Sequence, residues 1–441
     1  MDTGDTAFIL VCAALVMFMT PGLALFYGGM VRAKNVLGTI MQSFFALGIV
    51  SVLWVLVGYT LSFGPDKGGL IGSLEWLGFG GVGQEPNADL AGTIPHVLFA
   101  TFQMMFAVIT PALITGAFAE RMKFSGYCAF MAGWLLFVYA PIAHWVWAPG
   151  GWIRELGALD FAGGTVVHIN AGVAALAVIL VIGKRRGFGK DAIIPHNLTM
   201  TILGAGVLWF GWFGFNAGSA LGAGGLAASA FLATNLGAAA GALGWAIVDS
   251  VKEKKSTSLG IASGAVAGLV AITPAAGFVG PTAAIAIGLA GGIVCAWAVG
   301  LKFSLGYDDS LDVVGVHMVG GIVGALLTGV FADIAINEAG ADGLLTGGGA
   351  ALLGKQFIAV GVTLLYSFVV TFGLAKAIDA VIGLRVTEEE EITGLDLTQH
   401  SEAGYVFGEG GGGLTQTAPA TAGAPVVAPH GAAITEGGTL R

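Results

Sequence analysis

The 441-residue chain predicts an all-α membrane protein: eleven transmembrane helices in two inverted five-helix repeats plus a peripheral eleventh helix, N-terminus outside and C-terminus inside. Three observations carry that prediction. Only 10% of residues are charged, against about 25% in soluble domains, and mean hydropathy is +0.86. Lysines and arginines gather on alternate connections between apolar blocks. Two short motifs recur five blocks apart.

The apolar blocks run at 6–31, 36–63, 95–119, 124–148, 164–183, 199–217, 226–248, 258–276, 279–300, 312–331 and 350–384. Each has roughly the twenty residues a helix needs to cross a hydrocarbon core. Helices are also the open-ended structure that satisfies its own backbone there. The 74 glycines suit helices that pack closely in lipid. The acidic start Met1-Asp2-Thr3-Gly4-Asp5 lacks the basic region of a signal peptide, and the first apolar run is too long for one. Residues 1–384 thus read as one transmembrane domain: repeat 1 over about 6–183, repeat 2 over about 199–331, and helix 11 over about 350–384.

With the N-terminus outside, fourteen basic residues flank the inner side, from Arg32 and Lys34 to Lys376 and Arg385. Only Lys67, Arg154 and Lys355 lie outside, so the positive-inside rule sets the orientation. Of the net charge of −9, the segment from Thr387 holds −7, with eight acids and one base, leaving −2 for the body. That balance excludes a nucleic-acid surface. Cys12, Cys128 and Cys295 lie in apolar spans and read as small buried hydrophobes.

Val167-His168-Ile169-Asn170-Ala171-Gly172-Val173 in span 5 recurs as Val316-His317-Met318-Val319-Gly320-Gly321-Ile322 in span 10. Ile109-Thr110-Pro111-Ala112 in span 3 recurs as Ile272-Thr273-Pro274-Ala275 in span 8. An offset of five spans reverses direction, which defines an inverted repeat with its site expected at the interface of the halves. Each histidine has an upstream aspartate, Asp160 and Asp312, at unequal distances.

Ionisable groups within a membrane face an interior or a polar path. His168 and His317 should meet across the pseudo-two-fold, where two neutral imidazoles can hydrogen-bond. A lone membrane histidine would read as structural, but a symmetry-related pair reads as functional; a metal site is disfavoured, since only two ligands converge where zinc takes three or four. No cofactor is expected. His144, near the outer end of span 4, reads as interfacial. At the outer mouth Trp147 could supply a cation–π face and Ser219 a hydroxyl, although spacing alone does not choose Trp147 over Trp145. Trp145, Trp152, Trp209 and Trp212 could form an aromatic belt. Asp160 reads as a helix N-cap or as electrostatic help for an incoming cation.

These residues resemble a known family. Asp160-Phe161-Ala162-Gly163-Gly164-Thr165-Val166-Val167-His168-Ile169-Asn170-Ala171-Gly172 looks like the signature of ammonium transporters, the Amt/Mep/Rh family. Pro21-Gly22-Leu23-Ala24-Leu25-Phe26-Tyr27-Gly28-Gly29, Gly116-Ala117-Phe118-Ala119-Glu120-Arg121, Trp212-Phe213-Gly214-Phe215-Asn216-Ala217-Gly218-Ser219 and Asp308-Asp309-Ser310-Leu311-Asp312 extend the likeness over about 6–407, within the bacterial Amt type.

The resemblance implies a homotrimer with one pore per protomer and ammonium or ammonia as substrate, methylammonium serving as analogue. It matches Trp147, Ser219 and Phe106 to external recruitment, Phe106 with Phe215 to a stacked gate, and His168 with His317 to a twin-histidine pair. It also matches Asp160 to an essential carboxylate near the mouth and Trp212 to a pore-lining aromatic. The chain departs from the pattern at Ala148-Pro149, where glycine is expected, and at Met104-Met105.

The mechanism expected has a physical basis. A bare ion in an apolar pore faces a Born cost of tens of kcal/mol. Deprotonating ammonium, which titrates roughly two pH units above neutrality, costs about 3 kcal/mol. Potassium has no proton to lose.

Residues 385–407 resemble the family's cytoplasmic regulatory segment, against which a PII-type signal protein can dock. Glu388, Glu389, Gly394, Asp396 and Tyr405 are its candidate residues, with a solvated helix face the plainer reading of Glu388–Glu391. Residues 408–441 are low in complexity and expected to be disordered. A sensor with little flux is the competing reading, which a tail this short for an output domain disfavours. An enzyme is disfavoured too, because no nucleophile, metal cage or cofactor motif stands among the spans.

Overall fold

Inside a bilayer every backbone N–H and C=O must find its partner within the protein. The computed structural model describes residues 1–405, and there eleven apolar helices meet that demand. They are α1 (Thr3–Met30), α2 (Ala33–Phe63), α3 (His96–Phe118), α4 (Phe124–Leu156), α5 (Gly164–Ile182) and α6 (Leu198–Gly218). Then follow α7 (Gly225–Lys252), α8 (Ser258–Ile272), α9 (Pro281–Leu305), α10 (Val314–Phe331) and α11 (Ala351–Val381). Ten are long and apolar enough to cross a membrane. Two short helices, α12 (Glu388–Thr393) and α13 (Leu395–His400), end the described chain.

The short one is α8, with fifteen residues. The sequence predicts this span over 258–276, but the helix stops at Ile272. Pro274 accounts for the stop, having no N–H to give and a ring that crowds the preceding turn. A rise of about 22 Å falls short of a ~30 Å core, and residues 273–279 continue as buried turns. There the Phe161 N–H donates to the Pro274 carbonyl at 3.1 Å. The matching Pro111 lies inside α3 without ending it. That helix is buried on most sides, where neighbours tolerate the break in its ladder.

Capping follows local chemistry. Asp2 accepts the Asp5 N–H at α1, Asn197 the Met200 N–H at α6, and Thr257 the Gly260 N–H at α8. Close packing follows from glycine. A Cβ on Gly288 would lie 2.2 Å from the Gly237 carbonyl, and one on Gly292 2.1 Å from that of Gly241, so α7 and α9 touch backbone to backbone. A Cβ on Gly204 of α6 would lie 2.3 Å from the Phe26 nitrogen of α1. The first and sixth helices thus pair along their lengths, while α11 lies against α5 and α10.

One connection carries structure that the sequence did not suggest. Between α2 and α3, β1 (Asp66–Lys67) pairs antiparallel with β2 (Ile71–Gly72), and β3 (Pro86–Asn87) with β4 (Ala91–Pro95). The first hairpin grips the end of α4: the Trp145 indole donates to the Leu70 carbonyl at 2.7 Å, and Asp66 bonds His144 at 2.9 Å. His144, expected at an interface, is fully buried between Asp66 and the Ser62 carbonyl. Of the cysteines, Cys12 and Cys295 are buried and Cys128 half-buried, all free thiols.

Candidate functional site

Each half of the chain opens its last helix with a widened π turn, residues 164–169 in α5 and 314–318 in α10. Such turns rotate the following side chain off the regular helical position and recur at functional sites. Here they carry His168 and His317, both buried, with Nδ1 facing Nδ1 at 3.3 Å and rings 5.4 Å apart. That contact holds one proton, donated by one imidazole and accepted by the other. The His168 Nε2 is buried without a protein partner. The pair therefore offers a polar edge to whatever lies beside it.

Carboxylates set these turns. The Asp160 side chain accepts backbone N–H groups from Gly163, Gly164 and Thr165 at 2.7–2.8 Å and from Val166 at 3.2 Å, besides the Thr165 hydroxyl. The sequence paired Asp160 with Asp312, and the structure corrects this. The counterpart is Asp309, which stands eight residues before His317 as Asp160 stands eight before His168. Asp309 accepts the Val313 and Val314 N–H groups at 3.1 and 2.7 Å. Asp312 instead holds the Lys302 ammonium at 2.6 Å, its φ of +65° turning it away from the helix.

A column of rings leads to the histidines. Trp212 stacks on His168 at 5.4 Å and 22°, and its indole donates to the Thr273 hydroxyl at 2.9 Å. Phe215 lies beside both rings, 6.1 Å from His168 and 5.3 Å from Trp212, and 4.3 Å from Phe106. Both phenyl rings are buried. The space between these rings and His317 holds only ≈ 10 Å³, room for about one water. Trp212, expected as a candidate for the belt, is inside.

Above the phenyl pair lies a cavity of ≈ 140 Å³ bordered by Phe106, Trp147 and Ser219. The Trp147 ring meets Phe106 edge-on at 5.7 Å, and its N–H donates to the Asp160 carbonyl at 3.0 Å. Trp145 donates to the Leu70 carbonyl of the hairpin instead, so of the two indoles Trp147 is the one that borders the cavity. Ser219 donates to the Phe215 carbonyl at 2.9 Å and keeps its lone pairs. Gln103 and Arg154 also border this cavity, and sequence reasoning passed over both. A second cavity of ≈ 140 Å³ on the far side of the pair reaches His317, Phe26 and Asp312.

At that far end a buried ion network ties the chain together. Arg185 grips Asp308 at 2.8 Å and Glu120 at 3.3 Å, Arg32 meets Glu120 at 2.9 Å, and Arg121 donates to the Asp308 carbonyl at 2.6 Å. Burial alone would push the Asp308 carboxyl up, but Arg185 and Arg121 hold it below the usual range. Asp309 has no such relief: burial and Asp312 push it up to about 6 against the pull of Lys302. A carboxyl with a raised folded-state value stabilises the fold in its neutral form, and that contribution is lost as pH rises through about 6. Asp309→Asn should therefore flatten the rise in melting temperature that the wild type shows between pH 7.5 and pH 5.5. Identical pH profiles for the two proteins, read by thermal unfolding in detergent, would count against this.

The tail returns over the same end. Met122 and Arg385 bridge as strand neighbours, and Asp396 accepts the Leu37 and Gly38 N–H groups at 3.0 and 2.8 Å. Gly394, at φ +110°, leaves no room for a side chain, since a Cβ would lie 2.6 Å from the Lys34 carbonyl. Glu388 pairs with Arg186 while exposed, and Glu389 is exposed. Glu391, not singled out before, is buried: it bonds Arg385 at 2.7 Å and the Arg186 N–H at 2.7 Å. Tyr405 is exposed at the limit of the described residues. The predicted tail 408–441 and the last two residues of 385–407 lie outside them.

Ten bilayer-length apolar helices among the described residues, packed around a buried histidine pair, define a multi-pass membrane protein. The chain belongs to the Ammonium Transporter Family, whose sequence pattern matches residues 7–405. It is 56% identical over 406 residues to the ammonium transporter of Bacillus subtilis, covering 92% of this chain and 99% of that one. The crystal structure of Saccharomyces cerevisiae Mep2 superposes with a TM-score of 0.82 at 37% identity, over 88% of this chain and 91% of that one. A solved sensor Amt protein superposes equally well, TM-score 0.82, at 31% identity, over 90% and 98% of the two chains. The family is one of transporters, not enzymes.

Proposed function

We propose that this chain recruits ammonium at the Trp147 mouth, deprotonates it below, with the proton either returned to water or carried along the histidine pair, and conducts ammonia past His168 and His317. In this reading the mouth faces outward, the N-terminus lies outside and the C-terminus lies in the cytoplasm. The indole of Trp147 and ring of Phe106 face the cation, the Ser219 hydroxyl accepts one N–H, and Phe106 with Phe215 close the way below. The lumen past Trp212 admits a small neutral molecule far more readily than an ion.

The single observation that carries the reading is the Nδ1–Nδ1 contact. With one proton fixed between the rings, one Nε2 carries hydrogen and the other is bare. The pair thus presents one donor and one acceptor along an otherwise apolar lumen, which suits ammonia. Asp160 acts by holding the turn that bears His168. The far end, with Glu388, Glu389, Gly394 and Asp396 on the returning tail, is the surface proposed for a PII-type signal protein, Tyr405 is proposed to serve the same regulation, and the protomer is proposed to assemble as a homotrimer.

Purified protein in liposomes tests this through methylammonium uptake with and without an imposed membrane potential. Uptake well above empty vesicles is expected, with potassium excluded. Binding without flux would favour the sensor reading, for which the superposable sensor Amt protein is the supporting likeness. Dependence on voltage would show that the proton crosses with ammonia.

A further inference from the structure

The mouth presents an electrostatic oddity. Its border consists of five aromatic rings, two leucines, Gln103, Ser219 and Arg154, so its sole formal charge is positive. A site that gathers a cation is expected to carry the opposite sign. The nearby Asp160 lies off this border, its carboxylate aimed at four backbone N–H groups and the Thr165 hydroxyl rather than into the cavity. Nor is Arg154 swinging free in solvent. It stands on the short helical turn Trp152–Leu156, and its guanidinium donates to the Trp147 carbonyl at 2.6 Å. The positive charge is thereby anchored to the residue whose indole borders the cavity.

We propose that Arg154 sets the ammonium affinity of the mouth, its guanidinium raising the KM by repelling the arriving cation. The proposal rests on the transport reading above. Two unit charges roughly 8 Å apart repel enough to weaken binding about twofold in bulk water and about thirtyfold at an effective dielectric of 20. An exposed arginine belongs near the lower end of that range. A mouth tuned this way holds its cargo weakly, and cations of every kind feel the same opposition. Discrimination among them then falls to deprotonation below.

The experiment compares wild type, Arg154→Gln and Arg154→Lys, full-length and reconstituted, by methylammonium uptake at low and high ionic strength. Arg154→Gln is expected to lower KM about threefold at low salt with Vmax unchanged, and Arg154→Lys to keep the wild-type KM. The wild type's own KM should fall as salt screens the guanidinium. A KM unchanged or raised in Arg154→Gln overturns the proposal, as does a wild-type KM that rises with salt. Titrating indole fluorescence with methylammonium, Trp147→Phe as the blank, reads mouth affinity without flux. Absence of wild-type uptake would therefore sink the transport reading while still leaving the affinity order of the three proteins to decide on Arg154.

Discussion

His168→Ala is expected to reduce methylammonium uptake in proteoliposomes at least tenfold, a rise of about 1.4 kcal/mol or more in the barrier. The substitution removes one of the two polar edges in the lumen and leaves the His317 Nδ1 without the partner it meets at 3.3 Å. It also strips Trp212 and Phe215 of the ring they stack on. Packing and chemistry can be separated with His168→Leu, which refills the space with apolar volume. If the imidazole's polarity matters, both variants lose uptake, and thermal unfolding shows Leu closer to wild type than Ala. If shape alone matters, Leu restores flux. Wild-type uptake in both variants would remove the histidine pair from the mechanism.

The spans and the histidine pair were legible in the sequence because lipid leaves so few alternatives. Charged residues are scarce enough that His168 and His317 stand out, and the repeated VH motif already implies that they meet. Trp147 was legible only through resemblance, since a hairpin 75 residues away takes Trp145 and leaves Trp147 for the cavity. The end of α8 was misjudged because apolarity continues past Pro274 while the helix does not. His144 looked interfacial because its partner Asp66 belongs to a connection whose fold no periodicity announces. Glu391 looked like one of four solvated glutamates, and only the placement of Arg385 and Arg186 buries it.

Asp312 was the instructive miss. Its proximity to His317 made it the obvious twin of Asp160, yet equal spacing from the histidine already singled out Asp309. The π turn explains why spacing mattered more than proximity. A carboxylate must sit far enough upstream to reach back to the first free N–H groups of the turn, and at eight residues both Asp160 and Asp309 do. The two halves thus share a device, not merely a motif. They differ in load: Asp160 takes four backbone N–H groups, Asp309 two.

That difference leads to the second large expected effect. Asp160→Ala should destabilise the protein by about 3–5 kcal/mol, since each buried N–H left without an acceptor costs about 1–3 kcal/mol and water reaches part of this half-buried site. The loss is local in origin. Gly163 sits at φ +118° so that its own N–H and those after it converge on one carboxylate, and without that carboxylate nothing else accepts them. Asp160→Asn keeps one acceptor oxygen and should lose roughly half as much. Trp147 is a built-in control, because it bonds the Asp160 backbone carbonyl, which neither substitution removes. Mouth affinity for methylammonium should therefore survive in Asp160→Asn even as the melting temperature drops. Uptake should fall in proportion to how far the turn bearing His168 loosens. Equal melting temperatures for Asp160→Ala and wild type in detergent would show that the cap is dispensable. Full stability with lost uptake would assign the carboxylate to the cation instead of the turn.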